Sequence, residues 1–496
     1  MPTRAFDLVG CWPRKEFCTA GDRASEWHIQ LSAGTNMNFE LIMIVHQDNG
    51  AQTTISLGEI ERDPAMTMAT LGLSLGDGKL LTARIQRAMV AEQFAAGAKA
   101  RGICTHCGAG RPVKDYHGAR FRSLYGDIDL RVPRWRPCGC PGAIAATESQ
   151  VGRRERWVAP ELEFVQSQLA ATLPYARTTE LLSLLLPLGK GASPSTVRDR
   201  LMRVGQRLEG ELAALPQSGD IEGTAMESGT TTVGLDGGYV RHASPGSTHS
   251  FEIIAGRVLP ENQPQRSVAF VRSIDVLSRA RIHHVVTAGG AEGSAPVVFT
   301  DGDSQLRQVQ MSLFPAATHI LDWYHLTRQL TVLASVIDGQ EMAKQLSYEL
   351  HDRLSKLMQS AKWRLWHGRS GPAIAQLERI LCLLKRPSLA RKPVVVRATR
   401  LGAELHQYLR NNADSMPNYG RRYRAGERIC TSFVESAVNQ IISKRMVKSQ
   451  QMRWQPTSAH LLLQVRVRVI DGTLRDDFQR WYPGFAANDA TIDAAA

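Results

Sequence analysis

Between residues 231 and 321 the chain changes period. Five short runs rich in β-branched and aromatic residues, at 232–235, 251–254, 268–271, 297–300 and 319–321, are separated by turn residues. Such runs are the signature of a sheet. Helical patterns stand on both sides of it, at 158–215 before and from Trp323 to about Leu384 after, with a break at 368–372. A sheet between helical stretches predicts an α/β protein, and 496 residues leave room for roughly three domains of about 150 residues. Residues 39–45 read as a short strand and 80–100 as a helix broken by Gly97, although 1–100 show no chemistry. A Gly-, Ser- and Thr-rich stretch at 218–232 reads as a linker, a Leu-rich helix starts near Ala459, and the tail 484–496 reads as disordered.

Charge narrows the partners. The chain carries 60 Lys and Arg against 47 Asp and Glu, a net +13. The excess is concentrated: 351–400 hold 12 bases against two acids, and 410–454 hold nine against three. Charges this dense repel unless anions compensate them, which points to nucleic acid, whose phosphates would do so and release counterions. No apolar run approaches the ~18 residues of a spanning helix, so no membrane role is expected. The first residues lack the apolar core of an export signal, which makes a cytoplasmic protein the expectation.

Eight cysteines are too few for a disulfide scaffold, but four are paired. Cys104-Thr-His-Cys107 and Cys138-Gly-Cys140 lie on either side of a segment in which Ile128, Leu130 and Val132 alternate with Asp129 and Arg131, as in a half-buried strand. Two close pairs joined by a hairpin arm can present four thiolates to structural Zn²⁺. This predicts a zinc ribbon at 101–142, with His106 or His117 able to replace one thiolate. Cys11, Cys18, Cys382 and Cys430 follow no such pattern.

A helix-turn-helix is expected within 158–215. Residues 178–186 form a short apolar helix, 187–191 end it, and Ser193-Pro194 start another with a capping Ser and Pro at its first position. Val197, Leu201, Val204 and Leu208 make one apolar stripe, leaving Ser195, Thr196, Arg198 and Arg200 as candidate DNA contacts at the polar start of a recognition helix. Hairpins of two helices in any helical domain look similar.

Three carboxylates complete the pattern. Asp236 ends the first run of the sheet, Asp301 ends the fourth, and Glu435 lies on an apolar helix. Carboxylates at adjacent strand ends, with another from a helix, can hold two Mg²⁺ ions about 3.5–4 Å apart for in-line phosphoryl displacement, or Mn²⁺ in their place. The glycines after each Asp leave room for a phosphate backbone. Asp303 is a rival to Asp301, and Glu427 a weaker rival to Glu435. Asp322 and His325, three apart, share a helix face and either support the metal site, contact DNA, or serve as helix cap and packed ring. Arg421, Arg422, Arg424, Lys444, Arg445 and Lys448 are candidate phosphate contacts. Trp363 and Trp366 are either core or a stacking surface for bases.

These contexts, with Asp322-Trp-Tyr-His325 soon after the second acid, resemble the DDE transposases of bacterial insertion sequences, nearest to the Kra family and its Mutator-like relatives. Residues 433–446, Phe-Val-Glu-Ser-Ala-Val-Asn-Gln-Ile-Ile-Ser-Lys-Arg-Met, followed by Gln-Met-Arg-Trp at 451–454, are similar to that family's third-acid signature. The likeness spans about 104–472. It implies an α/β multidomain chain with an RNase H-like mixed-sheet catalytic core (228–330 and 426–483) interrupted by a basic α-helical insertion (331–425). The zinc ribbon and helix-turn-helix precede it. The spacing agrees, with 65 positions between the two Asp and 134 from Asp301 to Glu435. The resemblance further implies binding of double-stranded DNA at terminal inverted repeats, cleavage and 3′-hydroxyl joining, a homodimer or larger assembly, and association with the nucleoid. A nuclease or recombinase without strand transfer, and a domesticated DNA-binding regulator, are the alternatives.

Overall fold

The computed structural model describes residues 37–46, 50–63, 67–140, 157–189, 192–214, 231–244, 249–260, 264–272, 296–447 and 452–485. The linker at 218–230, Lys448 and the tail from 486 onward lie outside them. The chain divides into two compact units, Met1–Leu81 and Thr82–Ala496. In the first, β1 (Met37–His46) and β2 (Gln52–Arg62) form an antiparallel hairpin whose register shifts between Leu41 and Ile42. The expected strand at 39–45 is the centre of β1. Helix α1 (Leu75–Arg101) crosses the boundary between the units. It does not break at Gly97, contrary to expectation. One glycine costs a helix only about 1 kcal/mol, and here Arg101 Nε donates back to the Gly97 carbonyl at 2.9 Å.

The second unit begins with the arm of the cysteine segment. Strands β3 (Val113–Ser123) and β4 (Gly126–Trp135) pair antiparallel. Ile128, Leu130 and Val132 are buried against Val90, Phe94 and Trp157, while Asp129 and Arg131 face outward. The alternation expected from the sequence is therefore present. Arg120 pairs with Asp129 across the strands at 2.6 Å.

Helices α2 (Pro160–Ala170), α3 (Tyr175–Leu185) and α4 (Pro194–Ala213) follow. Ser193 caps α4, its Oγ accepting from the Thr196 N–H at 3.3 Å, and Pro194 opens the helix. Val197, Leu201, Val204 and Leu208 are buried as one stripe, in the same core as Ile253 and Ala255 of the sheet and Leu462 of a late helix. Gly205 allows close approach, since a Cβ there would meet the Leu461 carbonyl at 2.6 Å.

All five expected runs are strands: β5 (Thr232–Arg241), β6 (Ser250–Leu259), β7 (Arg266–Val271), β8 (Val297–Thr300) and β9 (Thr318–Leu321). They form one mixed sheet in the order β7-β6-β5-β8-β9. The first three pair antiparallel, and β5, β8 and β9 run parallel. Side chains alternate between the faces of a strand. Val233 and Leu235 of β5 pack with Leu306 of α5 (Ser304–Leu313) on one face. Val240 packs on the other, with Ala437 and Ile441.

After β9 comes a helical stretch, with α6 (Trp323–Ile337), α7 (Gln340–Gln345), α8 (Tyr348–Trp366), α9 (Ser370–Leu384), α10 (Pro393–Asn411) and α11 (Tyr419–Arg424). Its core is continuous with the sheet through Phe299, Ile320 and Leu321. The acidic helix α12 (Ser432–Val438) continues as a π-helix over Asn439–Val447. A π stretch frees carbonyls from α-helical pairing. Buried Arg466 of α13 (Pro456–Ile470) serves two of them, donating from Nε to the Ile441 carbonyl at 2.7 Å and from Nη2 to the Gln440 carbonyl. Helix α14 (Leu474–Trp481) closes the described chain, and Phe485 after it is buried against Phe164 and Phe478.

Candidate functional site

The cysteine centre is assembled by local geometry. After α1 the chain turns back on itself, with the Cys104 N–H donating to the Ala109 carbonyl at 2.8 Å and the Gly108 N–H to the Cys104 carbonyl at 2.9 Å. Gly108 makes this turn at φ +71, a left-handed conformation that glycine adopts without strain. The β3–β4 hairpin then returns Cys138 and Cys140 to the same place. Cys104 and Cys140 sulfurs lie 3.8 Å apart and those of Cys107 and Cys138 3.5 Å apart. All four lie within 4.8 Å of one another. Zn–S bonds of about 2.3 Å in a tetrahedron set sulfurs about 3.8 Å apart, so the four thiols fit an ion such as zinc. The N–H groups of Cys107 and His106 draw the Cys104 thiol down to about 6, whereas desolvation and the other three sulfurs push Cys140 up to about 12. One ready thiolate and one reluctant thiol in contact is the imbalance that a dication would relieve.

The carboxylate site is built from distant segments. On β5, Gly234, Asp236 and Gly238 share the face on which α12 lies. A Cβ at Gly234 would collide with Val434 and Phe433, and one at Gly238 would meet Ile442 at 2.8 Å. Gly234 and Gly238 therefore seat the acid helix; of the other glycines after the acids, expected to leave room for a phosphate backbone, Gly237 faces Glu252 and Gly302 faces Leu321 and Tyr408. Val434 lies on Gly234 and Ile442 on Gly238, so the helix runs along β5 past Asp236, whose carboxyl feels the charge of Glu435. Asp301 follows β8, the parallel neighbour of β5.

Histidine 325 stands among these acids. Its Nε2 is 3.7 Å from Glu435 Oε1 and 3.8 Å from Asp322 Oδ2, and it has no hydrogen-bond partner among the described residues. It lies close enough to Asp236 and Asp301 to interact electrostatically with both. Burial pushes the Asp236 carboxyl up from its ordinary value, and the negative charge of Asp301 pushes it further; the Gly237 N–H, donating to Oδ1 at 2.8 Å, opposes this. Burial likewise raises Asp301, against the Asp303 N–H that donates to its Oδ1 at 2.9 Å. Asp236, Asp301, Glu435 and His325 thus form one electrostatic group.

The oxygens of the three acids are not all within 4.8 Å of one another; among the described residues only the four cysteines form so tight a set. That spacing is too wide for one ion bound by all three.

Asp322 fulfils the cap reading and supports the site as well. It is fully buried, and its Oδ1 accepts from the Tyr324 N–H at 2.7 Å at the start of α6. Its other oxygen accepts from the Thr431 hydroxyl, immediately before α12. One carboxylate therefore ties the helix bearing His325 to the helix bearing Glu435. Three contacts that sequence reasoning missed hold the Asp301 turn. Tyr408 donates its hydroxyl to the Asp301 carbonyl at 2.6 Å, and Asn412 donates to the Gly302 carbonyl at 3.4 Å. Beneath them a buried chain runs from Ser415 to His319 Nδ1 (2.6 Å), from His319 Nε2 to Thr300 Oγ1 (2.8 Å), and to it from the Gly302 N–H (3.2 Å).

The candidate DNA contacts separate by burial. Ser195 and Arg198 are exposed at the start of α4, Arg198 pairing with Asp199 at 2.8 Å, and the Thr196 hydroxyl is engaged with Ser193. Arg200 is a correction: it is 2% exposed, and its Nη1 donates to Gln166 at 2.6 Å. It sits three residues after Val197, on the margin of the apolar stripe, where α2 covers it. Arg445 is a second correction, buried with its Nε on the Ala170 carbonyl at 3.2 Å and its guanidinium over the Tyr175 and Trp454 rings. Lys444, Arg421 and Arg424 are exposed, whereas Arg422 is engaged with Glu427 at 2.8 Å. This pairing holds Glu427 in the loop before α12. Trp366 belongs to the core with Trp323, while Trp363 on the same helix is 56% exposed.

Comparison with family models and with curated proteins finds no match. Among the described residues no helix is long and apolar enough to cross a membrane.

Proposed function

We propose that this protein is a DDE-type DNA transposase, which binds the ends of an insertion sequence, hydrolyses the terminal phosphodiester and joins the freed 3′-hydroxyl to target DNA. The observation that carries this reading is the convergence of Asp236, Asp301 and Glu435 on His325 from segments 65 and 134 positions apart. The sheet supports an RNase H-like core: an antiparallel meander extended on its first strand by two parallel strands, with acids on the two central neighbours. The basic segments and the exposed start of α4 supply phosphate contacts, and the four-cysteine ribbon supports them structurally.

Asp236, Asp301 and Glu435 would hold the divalent cations. Bound there, such ions lower the pKa of the attacking water or 3′-hydroxyl and offset charge on the leaving oxygen. The chain's own groups set the frame. The Gly237 and Asp303 N–H groups orient the two aspartates, Asp322 fixes the distance between His325 and Glu435, and Tyr408 and Asn412 hold the turn that aims Asp301.

The test uses purified full chain, Mg²⁺ and linear DNA bearing the sequences that border the gene. Asp301→Asn should lower cleavage by at least about a thousandfold while end binding persists. Retained cleavage removes Asp301 from the site, and cleavage without joined products identifies a nuclease.

A further inference from the structure

Beside the carboxylates, between α6 and α10, runs a groove of about 290 Å³ lined by His325, Arg328, Gln329, Val332, Glu404 and Leu405. His325 is shared, so the groove opens at the acids. Its size lies at the lower limit of small-molecule pockets, about 300 Å³, and suits one nucleoside rather than a stretch of duplex. Its chemistry is unusual for a surface between packed helices. Val332 of α6 is 44% exposed, and half-buried Leu401 of α10 supplies the apolar side from the other helix, above the buried Leu405. Arg328 is exposed, and neither it nor Gln329 has a hydrogen-bond or ion-pair partner among the described residues. Glu404 reaches Arg400 at 3.5 Å, and Tyr324, 48% exposed, packs edge-on against His325 one turn before Arg328. Helix α6 contains no Asp or Glu, and α10 contains three Arg against the single Glu404.

We infer that this groove takes one unstacked nucleoside of the DNA strand that lies across the carboxylates, an assignment that rests on the proposed phosphodiester chemistry. The two apolar walls receive the faces of the base. The Gln329 amide, which both donates and accepts, and the Glu404 carboxylate read its edge. Arg328 meets the adjoining phosphate. A base held there fixes the strand along its length beside the acids, and the cost of unstacking selects DNA already strained or frayed at that point.

The experiment uses full-length protein and a short duplex from the gene's borders, with 2-aminopurine scanned through successive positions and Ca²⁺ in place of Mg²⁺. Unstacking is read as a rise in 2-aminopurine fluorescence, and overall binding as anisotropy of a fluorescein on the far end. One position should brighten. Val332→Trp, which fills the groove from an exposed helix face, should abolish that rise and weaken binding about tenfold or less. Gln329→Ala, a milder change should the tryptophan disturb folding, should weaken the brightened state about fivefold. Binding with no brightened position, or brightening that survives both variants, overturns the assignment and leaves the transposase reading standing. Absence of any binding by anisotropy overturns both.

Discussion

The two candidate centres are built in opposite ways. The cysteine centre closes over 37 residues by a turn and one hairpin, and its four sulfurs already stand at the separation a tetrahedral ion requires. The carboxylate centre draws on a strand, a turn and a helix spread over about two hundred residues, and its oxygens remain too far apart for a single ion. A local site can be written into spacing alone. A long-range site needs further groups that do nothing except hold its parts in register, such as Gly234, Asp322, Thr431, Tyr408 and the Ser415–His319–Thr300 chain.

The contrast can be tested, beginning with the largest effect. One zinc per chain is expected in purified protein; stripping it, or Cys107→Ser, should unfold the base of the β3–β4 arm, because structural zinc contributes on the order of 10 kcal/mol to such small elements. Hydrogen exchange should show that loss confined to the arm. If the sheet opens as well, the cysteine centre is not local.

The second effect concerns pH. Burial holds His319 down to about 4, with Arg307 adding to it; in the unfolded chain an imidazole titrates near 6.5. Between those values the unfolded chain takes up a proton that the folded chain refuses. The stabilisation is therefore complete above ~6.5 and is lost as the pH falls towards 4, by on the order of 3 kcal/mol. Denaturant unfolding across this range should show the slope, and His319→Gln should flatten it; an unchanged slope would mean that His319 is not the buried neutral group supporting the Asp301 turn.

Arg200→Ala should destabilise the fold by about 2 kcal/mol, because it strands the Gln166 amide in the core, whereas Arg198→Ala should leave stability unchanged and weaken DNA binding several-fold. Equal effects of the two on binding alone would restore Arg200 to the surface. A smaller loss of stability than that of Arg200→Ala is expected of Tyr408→Phe, about 1 kcal/mol. Its cleavage rate should fall while binding is kept, since only the Asp301 turn is loosened. A variant with wild-type turnover would show that the insertion does not aim the acid.

Much of this was readable in advance, for reasons specific to each part. The five strands announced themselves by β-branched runs, and the α4 stripe and cap by spacing, since both follow from periodicity. The cysteine quartet was legible because its geometry is local. Arg200 and Arg445 were misplaced because a helical wheel shows which residues share a face but not how wide a neighbouring helix will cover. Gly238 after Asp236 looked like open space, yet its role depends on Ile442 arriving about two hundred residues later. Tyr408 and Asn412 carried no signal, because a hydroxyl and an amide on an amphipathic helix resemble any others until the fold brings them to the Asp301 turn.

The reach of α10 and Asn412 back to the turn after β8 has a practical consequence. Trimming the molecule to its smallest working piece by excising 331–425 would delete the side chains that clasp the backbone at Asp301 and Gly302. This helical stretch is therefore a structural part of the carboxylate centre and not a detachable accessory, and fragment designs must carry it whole.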